Sequence, residues 1–237
     1  MLIKELNTRS AFVSSIFEQS DACRLYTFIN SYSYLKLRHS NINASEFHGF
    51  YYDGLLMKIF MNIFFDKSIN RISFDMTSLA PVVFDLSVKE NKRVYFVGAK
   101  ETEIVGFVGT IRVNYSELNI VGYRNGYFSG SQREDTLKEI LNINPDIVVV
   151  GMGTPLQEGF LVDLKEKGWK GKGFTCGGFF HQTSKNLRYY PYWIDKFNLR
   201  WLYRLCDEPK LIRRFLRAYL IFPFVFTVDY YKLYFSK

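Results

Sequence analysis

The sequence predicts an α/β fold: a mostly parallel sheet with helices on both faces, followed by a helical C-terminal appendage. Three observations predict it. From Arg93 to Gly178, short apolar runs alternate with longer stretches of helical pattern, as parallel strands joined by crossover helices do. The apolar runs are continuous rather than alternating, which suits strands buried on both faces. After Gly178 the alternation stops and a basic, aromatic segment takes over.

The elements follow in order. RLYTFIN, Arg24 to Asn30, reads as a strand. Asp53 and Gly54 open LLMKIFMNIFF, an apolar run most simply read as a buried helix. Ser78–Lys89 is expected to be helical, with Pro81 tolerated in a first turn whose amides have no intrahelical partner. RVYFVG, Arg93 to Gly98, is a strand, and Glu101–Asn114 a helix. LNIVG, Leu118 to Gly122, is a short strand. Ser131–Leu141 is a helix with Glu134 and Asp135 near its positive end. DIVVVG, Asp146 to Gly151, is a strand, Thr154–Lys167 a helix and GFTCGG, Gly173 to Gly178, a last strand. Helices are then expected over Arg188–Phe197, Leu199–Leu205 and Lys210–Leu220, with Pro209 marking a break.

Residues 1–184 form the expected core and 185–237 the appendage, and the charge divides there too. The core has 20 Lys and Arg against 19 Asp and Glu; the appendage has 11 against 4. A neutral core with a basic tail suggests phosphate, nucleic acid or anionic lipid as partner. The tail's aromatics cluster in the apolar run YLIFPFVFTV, residues 219–228. That suits lipid better than nucleic acid, which calls for a basic exposed face and a recognition motif. The run is too short to span a bilayer, is interrupted by Pro223 and stops at Asp229. Lys210, Arg213, Arg214 and Arg217 share one face of a helix whose Leu211, Ile212, Phe215 and Tyr219 are apolar, the composition of a helix lying in a membrane interface. Peripheral attachment is therefore expected. Cys23, Cys176 and Cys206 are odd in number and widely spaced, which suggests neither a disulfide framework nor a cysteine zinc site, and fits a reducing cytoplasm. Residues 1–12 lack the apolar core of a signal peptide.

The turn VVVGMGTPLQEGF is the strongest chemical signal. An apolar strand ends at Gly151, and Gly153 permits a tight turn without a side chain in a ligand's way. Thr154 can cap the next helix, with Pro155 at its first position. Unpaired amides there would face an anion at the carboxyl end of the sheet. Gln157 and Glu158 fall in that first turn. A Gly-x-Gly alone is equally a plain strand-to-helix turn.

GMGTPLQE resembles the signature of the WecG/TagA/CpsF bacterial glycosyltransferases. YYDGLLM, NRISFDMT and LRWLYRLCDEPKLIRRF resemble three further motifs of that family and occur in its order. The resemblance implies a Rossmann-like core and inverting sugar transfer from a UDP-sugar to an undecaprenyl-diphosphate-linked sugar, in surface polysaccharide synthesis. With the basic, aromatic tail, the enzyme is expected to rest on the inner face of the cell membrane, and no cofactor is expected; homo-oligomerisation stays open. A non-catalytic, membrane-bound nucleotide-sugar binder remains the alternative.

Such chemistry needs a base for the acceptor hydroxyl and positive charge for the leaving diphosphate. No Asp-x-Asp occurs in the chain. That favours a mechanism without metal, as the resemblance also does. By resemblance, Asp53 is the base, against a plain helix-capping role. Arg71 is the candidate for the donor diphosphate, with Asp75 orienting it or capping a turn. Asn30, Gly151, Gly153 and Gln157 complete the implied donor site. Arg204 and Arg214 match appendage arginines that face the site or lipid phosphates, and Arg188, Arg213 and Arg217 are expected to join them at the membrane. The chain also departs from the pattern. His181 stands where an Asp is usual and is read as part of the donor pocket with altered specificity. The Arg71 motif is one residue short, with Phe74 for a Gly. Arg188-Tyr189-Tyr190-Pro191 replaces Arg-Ala-Pro, Leu199-Arg200-Trp201 replaces Leu-Glu-Trp, and Leu211 replaces an Arg.

Overall fold

The computed structural model describes residues 1–11, 14, 22–128, 130–197 and 199–235. Its centre is a six-stranded, wholly parallel sheet. The strands are β1 (Arg24–Ile29), β2 (Gly49–Tyr52), β3 (Val94–Gly98), β4 (Ile120–Arg124), β5 (Ile147–Gly151) and β6 (Lys172–Thr175), in the order β2-β1-β6-β5-β3-β4. The continuous apolar runs of β3 and β5 are buried throughout, because both faces are covered. On one face, Leu25, Ile29, Val97, Val148 and Val150 meet α1 (Leu2–Thr8), α2 (Ser31–Arg38), α3 (Leu55–Phe65), α6 (Ser131–Ile143), α7 (Leu156–Glu166) and α11 (Ile212–Phe235). On the other, Tyr26, Phe28, Phe96, Val149 and Phe174 meet α4 (Leu79–Lys89), α5 (Glu101–Asn114) and α8 (Phe179–Lys185). Two short helices, α9 (Tyr192–Lys196) and α10 (Arg200–Asp207), lead into α11.

The predicted alternation is present, with several differences in detail; among them, β6 ends at Thr175, short of Gly178, and the helix expected over Arg188–Phe197 is confined to α9. The run Leu55–Phe65 is helical but not buried: Met57 and Met61 face the core, whereas Leu55, Ile59 and Ile63 are exposed. Its two polar residues, Lys58 and Asn62, are themselves half-buried, so they do not mark the exposed side. β4 begins two residues later than expected, since Leu118 is buried from the preceding turn. The helix α7 starts at Leu156, not Thr154; the Thr154–Pro155 peptide is cis, and the Thr154 hydroxyl donates to Glu158 instead of capping. The helices α1, α2 and α8 and the strand β2 lie outside the elements that the sequence predicts.

The largest difference lies at the end of the chain. Pro223 does not interrupt the last helix and Asp229 does not stop it: α11 runs through 24 residues. Pro inside a helix costs about 3 kcal/mol. Packing offsets that cost. Phe222 and Phe226 are fully buried against Tyr34, Phe60 and Phe64. Asp229 is buried and accepts hydrogen bonds from Tyr34 Oη (2.7 Å) and from Arg38 Nε (2.6 Å) and Nη2 (2.9 Å). The inner face of α11 thus belongs to the main core. No helix among the described residues is long and apolar enough to cross a membrane.

Candidate active site

Parallel strands end together, so the loops after β1, β2, β3, β5 and β6 converge. Gly98 and Gly151 sit side by side in register. Gly98 has φ +149°, and a Cβ there would come within 2.4 Å of the Gly151 carbonyl oxygen, so this approach admits only glycine. Above these strand ends lies a cavity of about 600 Å³, roofed by α10 and the start of α11. Its volume falls in the range of small-molecule sites.

The walls gather most of the expected residues: Asn30, Asp53, Arg71, Asp75, Gly151, Gly153, Gln157, His181, Arg204 and Arg214 all line the cavity. Arg188, Arg213 and Arg217 do not; they are exposed outside it. Arg188 lies over the Tyr192 ring.

Asp53 follows β2 and precedes α3. The N-cap of α3 is Gly54, at φ +90°, and no side chain caps that helix, so the capping role is not the one Asp53 fills. Its backbone amide donates to the Ile29 carbonyl (2.9 Å). Its carboxylate makes no hydrogen bond or salt bridge among the described residues. Burial pushes its pKa up and Asp75 adds to the rise, while Arg71, Arg200 and Arg204 oppose it. A carboxylate open to the cavity, with a raised pKa and no partner, can take a proton.

Asp75 has a different neighbour from the one expected. It bonds Arg200 Nη1 (2.7 Å), not Arg71, and also accepts from Ser73 Oγ (2.6 Å) and the Thr77 amide (2.8 Å). Burial works against its ionisation, but Arg200 and the Ser73 and Thr77 bonds hold its pKa below the ordinary value. Arg200 also binds Asp195 and Thr77 and lies 4.8 Å from the Tyr190 ring centroid. It is the main cavity residue that sequence reasoning missed. The signal was present as the charge reversal within Leu-Glu-Trp. Arg71, relieved of Asp75, has no side-chain hydrogen bond or salt bridge among the described residues.

Several expected contacts are already engaged. Asn30 Oδ1 caps α2 through the Tyr32 (3.0 Å) and Ser33 (2.9 Å) amides. Gln157 is buried, donates to Glu158 Oε1 (3.0 Å) and accepts from the Gly177 amide (3.2 Å). It ties the turn after β5 to the turn after β6. Pro155 has no N–H, and the Gln157 amide donates to the Gly153 carbonyl (3.1 Å). The start of α7 therefore offers an anion less than a fresh helix terminus does. Cationic side chains carry most of the positive potential: Arg71, Arg204 and Arg214, the last with its guanidinium 3.7 Å from the Tyr32 ring centroid.

His181 lies in α8 and lines the same cavity. Its Nδ1 lies 2.8 Å from Glu103 Oε1, and its Nε2 lies 3.8 Å from Glu208 Oε1.

The chain has clear relatives. The model of the Glycosyl transferase WecG/TagA/CpsF family matches residues 4–234. The UDP-Gal:alpha-D-GlcNAc-diphosphoundecaprenol beta-1,4-galactosyltransferase of Shigella boydii is 32% identical over 231 residues, covering 93% of this chain and 97% of that protein. Two N-acetylglucosaminyldiphosphoundecaprenol N-acetyl-beta-D-mannosaminyltransferases align over about half their length. That of Bacillus subtilis is 36% identical over 128 residues, 54% of this chain and 49% of its own. That of Bacillus spizizenii is 31% identical over 134 residues, 56% of this chain and 51% of its own.

Proposed function

The chain belongs to the WecG/TagA/CpsF glycosyltransferase family, and from that premise we propose that it transfers a sugar from a UDP-sugar to an undecaprenyl-diphosphate-linked sugar, with inversion and without metal. The product is a step in a surface polysaccharide. The observation that carries this reading is the unpaired, pKa-raised carboxylate of Asp53 in a cavity that also holds Arg71, Arg204 and Arg214.

In the proposed reaction the acceptor hydroxyl attacks the anomeric carbon from the face opposite the diphosphate. Asp53 takes the hydroxyl proton as the new C–O bond forms. The old C–O bond breaks with its electron pair going to UDP, which leaves as the anion. Arg71 and the appendage arginines offset the charge that grows on it. Attack from the opposite face gives inversion. Side-chain cations in these positions do the work that a metal does in Asp-x-Asp transferases. The lipid carrier would place the protein at the inner face of the cell membrane, with the outward face of α11 against it.

A donor panel tests the proposal. Purified protein is given several UDP-sugars and a short-chain GlcNAc-diphosphate lipid, with and without EDTA, and the product's anomeric configuration is read by NMR. An inverted product formed equally in EDTA is expected. Turnover that needs a divalent cation would sink the metal-free mechanism. Donor binding without turnover would favour a non-catalytic binder.

A further inference from the structure

Tyr190 lines the cavity, yet neither proton transfer nor diphosphate binding uses it. Its ring is buried and held from several directions. The Arg200 guanidinium lies 4.8 Å from the ring centroid, within the range of a cation–π contact. The rings of Tyr189 (4.8 Å, 78°) and Tyr203 (5.8 Å, 67°) meet it at steep angles. Arg200 is itself tied to the loop between α3 and α4 through Asp75 (2.7 Å), Ser73 (3.2 Å) and Thr77, and to α9 through Asp195. The ring therefore has a fixed place.

Its hydroxyl has no partner. The Tyr189 hydroxyl beside it donates to Asp207, but that of Tyr190 makes no hydrogen bond among the described residues. A buried phenol usually finds one. Nor is this atom sealed off. The buried side-chain polar atoms without a partner among the described residues are Arg124 Nε, Glu158 Oε2, His181 Nε2 and Arg204 Nε. Tyr190 Oη is not one of them, so it is reached from the cavity that the residue lines. Burial pushes the phenol well above its ordinary pKa; Arg204 opposes the rise, and Asp53 and Asp75 add to it. The hydroxyl is thus neutral, able to donate and to accept, and within electrostatic reach of Asp53. In the proposed reaction Asp53 receives the attacking hydroxyl of the acceptor sugar, so a polar group beside it meets that same sugar. The diphosphate already has cations to meet it, and a neutral phenol between two carboxylates suits a sugar oxygen better than a phosphate.

We propose that Tyr190 is a specificity-determining residue for the acceptor, its hydroxyl donating a hydrogen bond to an oxygen of the lipid-linked sugar. Arg200 is a positioning residue that holds the Tyr190 ring in place. The proposal rests on the glycosyltransferase reading above, since it needs a sugar in the cavity. Tyr190, Arg200 and the shortened segment that carries Ser73 and Asp75 all stand where the chain departs from the family pattern. These departures meet in space, which assigns the contact to this chain's choice of acceptor rather than to the shared chemistry.

Calorimetric titration of the full chain reads the contact without turnover. The probes are the short-chain GlcNAc-diphosphate lipid, the same diphosphate lipid without its sugar, and UDP-galactose. The wild type should bind the sugar-bearing lipid more tightly than the bare one. Tyr190→Phe keeps the ring and its Arg200 contact and removes only the hydroxyl. It should weaken binding of the sugar-bearing lipid about three- to tenfold, the worth of one neutral hydrogen bond. Affinity for the bare lipid and for UDP-galactose should stay the same, and so should the melting temperature. Arg200→Lys keeps a charge beside Asp75 but loses the flat fork that reaches Thr77 and covers the ring. It should weaken the sugar-bearing lipid in the wild-type background and add little in the Tyr190→Phe background, because it acts through the missing hydroxyl. Equal weakening in both backgrounds removes Arg200 as the positioning residue. The contact itself is overturned if Tyr190→Phe binds the sugar-bearing lipid as the wild type does, if the loss falls equally on the bare lipid or on UDP-galactose, or if the variant melts lower. A wild type that shows the Tyr190-dependent binding but turns over with no UDP-sugar leaves the contact standing and counts against the transfer reaction.

Discussion

Replacing Asp53 by Asn should abolish transfer and at the same time stabilise the protein. The substitution keeps the shape and removes the charge and the proton-accepting lone pair. For activity, losing a positioned general base costs about 10²–10⁴ in kcat. For stability, the sign follows from the pKa. Asp53 is raised in the folded state, mainly by burial, so folding favours its protonated form. Below the pKa of the unfolded chain both states are protonated and the charge adds nothing. As pH climbs from there through the raised folded value, the wild type loses stability that the Asp53→Asn variant keeps. Above the folded value the variant's advantage is complete. Its size is of the order of burying one unpartnered polar group, about 1–3 kcal/mol, so the variant melts several degrees higher. Melting curves of both proteins from acidic to neutral pH, beside a transfer assay, give the two readouts. A variant that loses activity and melts lower at neutral pH would refute the reasoning, because Asp53 would then be a structural anion held by the arginines. Retained activity would remove it as base.

Arg200→Ala should strip Asp75 of its cation and cost about 3–5 kcal/mol, the scale for breaking a buried pair, with the Ser73 and Thr77 bonds keeping it near the lower end. The pair's contribution is present at neutral pH, above the usual carboxylate range, and falls away in acid as Asp75 protonates through its lowered pKa. Urea unfolding at neutral and acidic pH reads both. Arg71→Ala should leave the melting temperature in place, since the side chain makes no hydrogen bond or salt bridge among the described residues. It should lower kcat/KM for the UDP-sugar about 10²–10³-fold, as loss of a charge stabiliser does; a steady-state assay over donor concentration checks it.

The strands of the sheet's centre were legible because parallel strands buried on both faces must be continuously apolar, and β3 and β5 are. The location of Asp53, Arg71 and His181 on one cavity was legible through resemblance to the family's motifs, and only Asp53 lies in a loop directly after a strand. Pairings were not. Asp75 is close to Arg71 in sequence but bonds Arg200, which is 125 residues away and approaches from the appendage. Glu103 carries no signal of its own either: it sits in the first turn of an ordinary amphipathic helix, and only the packing of α8 on α5 brings His181 to it. The end of the last helix was illegible for a related reason. Pro223 and Asp229 are stop signals locally, and distant aromatic and arginine partners override them.

That last point decides how the proposed membrane contact must be tested. The faces of α11 have opposite duties. Ala218, Phe222, Phe226 and Asp229 are buried in the core, whereas Arg213, Leu216, Arg217, Leu220 and Phe224 face outward. Leu220 and Phe224 are 76% and 73% exposed, so they are the side chains a membrane contact on this face would bury. Cutting the helix away would remove both faces together. It would uncover Phe60 and Phe64 and leave the buried edge of Tyr34 and Arg38 without Asp229, so loss of a truncated chain from membranes would not separate lost contact from lost fold. Changing Leu216, Leu220 and Phe224 to Ser touches the outer face alone. Each such side chain is worth about 1.5–3 kcal/mol when buried in an apolar phase, so the triple variant should bind anionic vesicles at least about a hundredfold more weakly. Its melting temperature and its transfer to a water-soluble acceptor should stay as they are. Vesicle co-sedimentation unchanged by the three substitutions would place the contact elsewhere, and the exposed ridge Leu55, Ile59 and Ile63 of α3 would be the next surface to alter.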